Sequence, residues 1–227
     1  MDFQLSDDQK LLVESVRTFV KQRSPVSRFR KLRDDGGGWD RAVWREMGEL
    51  GWLSLPFPEH AGGFGGSFVD VALLLETFGT ALVPEPYLAS VVLAGTALLH
   101  GGNAAQHQRW LAPMIDGAAS LALAHAEPGH RFDTQPRETT ATRSPGGWRL
   151  RGRKQFVLHG QHADTLIVSA QGDAGPVLFA VPRDHAGVGI TAVRTIDGLG
   201  AAMVELDAEL PDDHRLAGCE AADALER

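Results

Sequence analysis

The chain has 227 residues, a formal net charge of -7 and one cysteine. At that length roughly 70% of the unfolded surface can be buried, so no disulfide framework is needed, and the lone Cys219 fits a reducing, cytoplasmic compartment. The acidic balance argues against nucleic acid. No leader pattern opens the chain, and the apolar run from Leu88 to Leu99 is broken and short of the ~20 residues a membrane span needs.

The first half reads as helices. Ser6 with Gln9 forms a capping-box pattern, followed by Leu12, Val16, Phe19 and Val20 on one face. Asp40 caps a second segment whose Val43, Met47 and Leu50 share a face, and Gly51 stands where a helix C-terminal glycine belongs. A third helix follows the glycine-rich stretch from Gly62 to Gly66, with Val71, Leu74, Leu75 and Phe78 as its buried side. Pro84 and Pro86 interrupt the chain before a fourth helix from Tyr87 to His100. Asn103 and Gln106 open a fifth, which carries Trp110, Leu111 and Met114.

Beyond Gly117 the pattern changes to short β-rich runs separated by turn residues. Strands are predicted at 119–124, 139–143, 148–151, 155–158, 165–170, 177–181 and 203–206. The expected fold is α+β, an N-terminal helical bundle over 1–118 followed by an antiparallel β-barrel over 119–218. From 219 to 227 the spacing of Ala221, Ala222 and Leu225 predicts the first turns of another helix.

Two stretches invite other chemistry. The Gly62 to Ser67 run has neither phosphate-loop spacing nor a preceding strand, so a structural turn is the better reading. His159 and His162 are close, but no zinc-binding helix pattern or thiol accompanies them, and no metal is expected.

Four groups of residues carry a resemblance. They are Phe3-Gln-Leu-Ser6 with Gln9, the loop from Leu55 to Gly66, Glu127-Pro-Gly129 with Asp133, and Gly152-x-Lys-x-Phe156. In this order and at these distances the chain resembles acyl-CoA dehydrogenases. Within that family the stretches Leu123 to Glu127, Arg131 to Asp133, Thr139 to Ala141, Val157 to Gly160 and Ala163 to Ala170 look like the small subunit of pimeloyl-CoA dehydrogenase, one half of a heteromeric enzyme.

The resemblance implies FAD, cradled by the segments Leu121 to Gly129 and Gly152 to Gly160, with His125, Ala126, Arg131, Phe132, Phe156 and Leu158 at the cofactor-facing positions. Several of these depart from the family pattern. A flavin-bonding threonine is matched by Ala126 and a second by Leu158. A glycine-serine pair at the pyrophosphate is matched by Arg131 and Phe132, and the tryptophan flanking the flavin by Phe156. Aromatic stacking survives these changes, while two hydrogen bonds worth ~0.5–1.5 kcal/mol each are lost.

Chemistry in the family removes an α-proton from an acyl-CoA with a carboxylate while hydride leaves the β-carbon. The resemblance places that base in a C-terminal helical bundle, expected to be absent here, so no catalytic residue is assigned in this chain, and Glu127 falls in a structural turn. The implied partners are a large acyl-CoA dehydrogenase subunit, the acyl-CoA substrate and an electron-transfer flavoprotein. The expected function is the small subunit of a heteromeric FAD-dependent acyl-CoA dehydrogenase. The alternative is a non-catalytic subunit that has lost the flavin and completes a partner's site.

Overall fold

The computed structural model describes residues 4–36, 38–130, 133–218 and 224–225. Helix α1 (Asp7–Arg23) begins with both arms of the Ser6–Gln9 capping box formed, and buries Val13, Val16, Phe19 and Val20. Helix α3 (Arg41–Glu49) is capped by Asp40, whose carboxylate accepts from Ala42 N. Val43, Trp44 and Met47 are buried on it, whereas Leu50, expected on that face, is exposed. Gly51 then turns the chain at φ +77. Between these two helices lies α2 (Val26–Asp34), which the periodicity did not predict because it has no fully buried residue. Arg28 fixes it instead, pairing with the buried carboxylate of Glu85, which also accepts from Asp40 N.

The Gly62 to Gly66 loop is a structural turn. The amides of Gly63, Gly65 and Gly66 donate to the carbonyls of Pro58, Phe57 and Leu55, leaving none of the three for an anion. A Cβ on Gly63 would stand 2.0 Å from Phe57 O, so only glycine fits there. Helix α4 (Phe68–Thr80) follows, burying Val71, Leu74, Thr77 and Phe78.

The predicted fourth helix is a π-helix, Tyr87–Gly95, that runs into α5 (Thr96–Gly101). The fifth comprises α6 (Ala104–Gln106), a π-helical stretch His107–Leu111, and α7 (Ala112–Ile115), opened by the Asn103–Gln106 capping box.

Among the described residues seven strands form one curled sheet: β1 (Leu121–Ala124), β2 (Thr140–Ser144), β3 (Gly147–Leu158), β4 (Thr165–Gly172), β5 (Gly175–Pro182), β6 (Val188–Val193) and β7 (Ala201–Leu210). Their order is β1-β4-β2-β3-β7-β6, with β5 against β4. The sheet is mixed where antiparallel pairing was expected. β1 runs parallel to β4 from Leu121↔Thr165 to Ala124↔Val168, and β2 meets β4 in parallel at Thr140↔Gln171. About forty residues separate β1 from β4, ample for the long connection that parallel pairing requires. The two runs predicted at 148–151 and 155–158 are one strand, β3, with a bulge against β7 between Lys154 and Val157.

Two cores result. One lies inside the curled sheet, around Leu150, Leu166, Val168, Phe179 and Val204. The other is shared, because Leu121, Ile167, Leu178, Ala180 and Leu216 pack among the helix residues Trp44, Met47, Leu98 and Leu111 and the loop residue Phe57. The helix predicted over 219–227 lies outside the described residues except for Ala224 and Leu225, which pack against this shared core.

Candidate functional site

The end of β1 and the bulged part of β3 stand side by side, beneath the π-helix. Ser90 fixes that helix to the strand: its hydroxyl donates to Leu121 O at 2.7 Å and accepts from Leu121 N at 2.6 Å. Between them opens a cleft of about 130 Å³. Ala89 and Leu93 of the π-helix form one wall, Leu123, His125 and Ala126 another, and Gln155, Phe156 and Leu158 the third.

Four of the predicted positions, His125, Ala126, Phe156 and Leu158, are thus brought together. Arg131 and Phe132 lie outside the described residues. The π-helix wall was not foreseen, since Ala89 and Leu93 read as ordinary helix positions; the insertion that makes a π-turn has no sequence signature of its own.

The cleft is apolar apart from His125 and Gln155. The Gln155 side chain is already engaged, its Nε2 donating to Glu127 O at 2.8 Å. His125 is half-buried and its Nδ1 has no hydrogen-bond partner. Burial first, and the nearby Lys154 second, lower the imidazole's pKa, so it is neutral near pH 7. Phe156 is 56% exposed and holds φ +48, and Leu158 is 41% exposed.

Behind the cleft lies a buried ion pair. Lys154 Nζ donates to Glu127 Oε1 at 2.8 Å, with the two side chains 0% and 2% exposed. Glu127 also accepts from the amides of Arg137, Glu138 and Thr139. Burial alone would raise its pKa, but the Lys154 ammonium and the amides of Glu138 and Arg137 outweigh that and hold it at about 2. Both carboxylate oxygens of Glu127 are thus engaged, Oε1 by Lys154 and Thr139 and Oε2 by Arg137 and Glu138.

His159 and His162 belong to a different cluster. His159 Nε2 lies 3.1 Å from Ser120 Oγ, and its ring packs edge-on against Trp39. Burial, then His162, depress its pKa to about 3. Asp164 accepts from Ser120 N and from both terminal nitrogens of Arg41, tying α3 to the sheet. Among the described residues no group of three or more His, Cys, Asp or Glu side chains is arranged to hold a metal ion. No helix among them is long and apolar enough to cross a membrane.

Residues 6–118 match the acyl-CoA dehydrogenase N-terminal domain, and residues 122–208 match the acyl-CoA dehydrogenase middle domain. The chain belongs to the acyl-CoA dehydrogenase family. It is 32% identical over 221 residues to acyl-CoA dehydrogenase FadE27 of Mycobacterium tuberculosis, covering 96% of this chain and 57% of that one. It is 30% identical over 200 residues to the probable acyl-CoA dehydrogenase YngJ of Bacillus subtilis, covering 85% and 52%. A chain in the crystal structure of the ChsE4-ChsE5 complex from Mycobacterium tuberculosis superposes with a TM-score of 0.88 at 30% identity, over 99% of this chain and 61% of that one. This acyl-CoA dehydrogenase chain therefore spans a little over half the length of these curated relatives.

Solved structures of the same fold include a glutaryl-CoA dehydrogenase from Mycobacterium smegmatis in complex with FADH2, 23% identical with a TM-score of 0.86, and an FAD complex of PigA, 22% identical with a TM-score of 0.85. Apolar walls, an exposed aromatic ring and one buried unpartnered nitrogen fit the flat ring of a flavin.

Proposed function

We propose that this acyl-CoA dehydrogenase chain is one subunit of a heteromeric FAD-dependent enzyme that introduces a double bond between the α and β carbons of an acyl-CoA. The observation that carries the reading is the cleft itself: it has apolar walls and an exposed aromatic ring, and none of the described residues lining it is a carboxylate. Abstraction of an α-proton needs a base within hydrogen-bonding reach. Glu127, behind the wall, is committed to Lys154 and three amides. In this reading the base lies outside the described lining of the cleft, and we assign it to a partner subunit. The likeness to a chain of the ChsE4-ChsE5 complex supports a heteromer. A 28% identical neighbour with a TM-score of 0.83, from a study of an electron-transferring flavoprotein, supports that protein as the electron acceptor.

In this reading Phe156, Leu158, Ala126 and His125 would hold the flavin ring, and Leu93 and Ala89 would help exclude water from the cleft. Arg131 and Phe132 are assigned to the pyrophosphate by resemblance alone. A flavin held there supplies the two-electron oxidant. The chain's own contribution is to bind and orient: it offers apolar faces and the imidazole of His125, and none of the described lining residues is a carboxylate. The partner would be a larger dehydrogenase subunit, and the compartment the cytoplasm.

Co-expression with a full-length dehydrogenase of this family is expected to yield a complex whose flavin absorbance bleaches on adding acyl-CoA. Replacing the partner's base should abolish bleaching, whereas Glu127→Gln should leave the response in whatever fraction still folds. Turnover of acyl-CoA by this chain alone with an artificial acceptor would refute the division of labour.

The second reading, a subunit without flavin, is favoured by the methyl of Ala126 and the half-exposed Leu158, which supply no hydroxyl. Flavin stoichiometry in the complex separates the two. Replacing both residues by Thr should tighten FAD only if a cofactor site is present.

A further inference from the structure

Phe156 has a left-handed backbone at φ +48, yet it is neither glycine nor asparagine. It falls in the bulge of β3, where Lys154 pairs with Val204, Val157 pairs with Ala202, and one extra residue is taken up on the β3 side. Left-handed geometry crowds the Cβ of an L-residue, so such a site ordinarily selects glycine. A strained conformation persists only where its surroundings over-determine it.

The two preceding residues do so. Lys154 Nζ donates to His125 O at 3.1 Å, Gln155 N to Ala126 O at 2.9 Å and Gln155 Nε2 to Glu127 O at 2.8 Å. Three consecutive carbonyls on one side of the cleft are thus gripped by two consecutive residues on the other. Lys154 is fixed in turn by Glu127 Oε1 and by Ser169 Oγ at 3.1 Å. On the far side Val157 is buried in the sheet core. The backbone is pinned before and after Phe156, and its ring is left at the cleft beside Ala126 and Leu158.

We infer that Lys154 and Gln155 are positioning residues, which hold Phe156 in a strained backbone so that its ring stands as a preset wall of the cleft before a flat conjugated ligand arrives. The inference rests on the flavin reading only for the identity of that ligand; the holding of the ring is a property of this chain. Preorganisation of this kind lowers the cost of ordering a side chain on binding.

The test places 4-fluorophenylalanine at position 156 of the full chain and reads the ring by fluorine NMR without ligand. The unmodified clamp should give a resonance displaced from that of the free amino acid. Gln155→Glu, which keeps the shape but removes the side-chain donor, should move it toward the free value while the melting temperature changes little. Gln155→Lys, which retains a donor, should move it less. Thermal melts of Phe156→Gly and Phe156→Ala test the strain, with the glycine variant expected to melt higher. A resonance that is the same with and without Gln155→Glu, or an alanine variant at least as stable as the glycine one, would overturn the inference. FAD titration of the partner-bound complex forms a separate arm, in which Gln155→Glu should weaken binding about fivefold or more, roughly 1 kcal/mol. Absence of FAD uptake by the unaltered protein, alongside the expected fluorine shifts, would sink the flavin assignment and leave the clamp standing.

Discussion

At the scale of single residues, the Glu127–Lys154 pair dominates the energetics of the cleft. Lys154→Met would strand a buried carboxylate and should cost about 3–5 kcal/mol. The double variant Glu127→Gln, Lys154→Met removes both charges and should recover part of that loss, as urea unfolding would show. Acid should act in two windows. His159 has a folded-state pKa of about 3, below its unfolded value near 6.5, so its contribution is complete above ~6.5 and declines as the pH falls toward 3. Glu127, at about 2 when folded against 4.5 when unfolded, loses its contribution only below ~4.5, on the order of 3 kcal/mol in all. Stability measured from pH 7 to 3 should therefore begin to slope near pH 6.5, and His159→Gln should flatten that upper part of the slope. Phe156 and Leu158, singled out by the resemblance, both line the cleft. The burial of Lys154 was not legible in the sequence, since a lysine in a strand with polar neighbours ordinarily points to solvent.

At the scale of elements, the joint between the π-helix and β1 rests on one hydroxyl. Ser90→Ala would leave Leu121 N and O without their side-chain partner inside the protein, and should cost about 1–3 kcal/mol by chemical denaturation. Removing one residue from Tyr87–Gly95 would let the segment relax to an α-helix and turn the face beyond the deletion by about 100°. Leu93 would swing out of the cleft, and ligand affinity should fall with little loss of helical circular dichroism. The helices whose apolar faces recur at 3.6-residue spacing, such as α1 and α4, were readable from the sequence. Helix α2 was not, because Arg28–Glu85 holds it rather than a greasy stripe. β6 was missed for a related reason: none of its residues is fully buried, and the alternation of half-buried Val188 and Ile190 with exposed Gly189 and Thr191 lapses at Ala192. The bulge in β3 was read as a gap between two strands, since Gly152 and Lys154 interrupt the apolar pattern that continues at Phe156.

At the scale of the whole molecule, the helices and the sheet do not keep separate interiors. Leu178 comes from a sheet strand and Leu216 from the segment after the sheet, yet both are buried among Leu98, Leu111 and Met114 of the helical half. Gln106 reinforces the junction: its side-chain amide donates to Asp213 O and Arg215 O, and its oxygen accepts from Ala217 N. Heating should accordingly melt the two halves in a single calorimetric transition, with the van't Hoff and calorimetric enthalpies in agreement. A fragment ending near residue 118 would present a row of naked leucines and should aggregate or remain molten. For the chain as a unit of inheritance, the halves cannot be exchanged independently between relatives. A shuffled hybrid joined at residue 118 would need Leu178 and Leu216 to find the same sockets, so recombination breakpoints within the family should avoid this seam and fall where a swap carries both sides of the junction together.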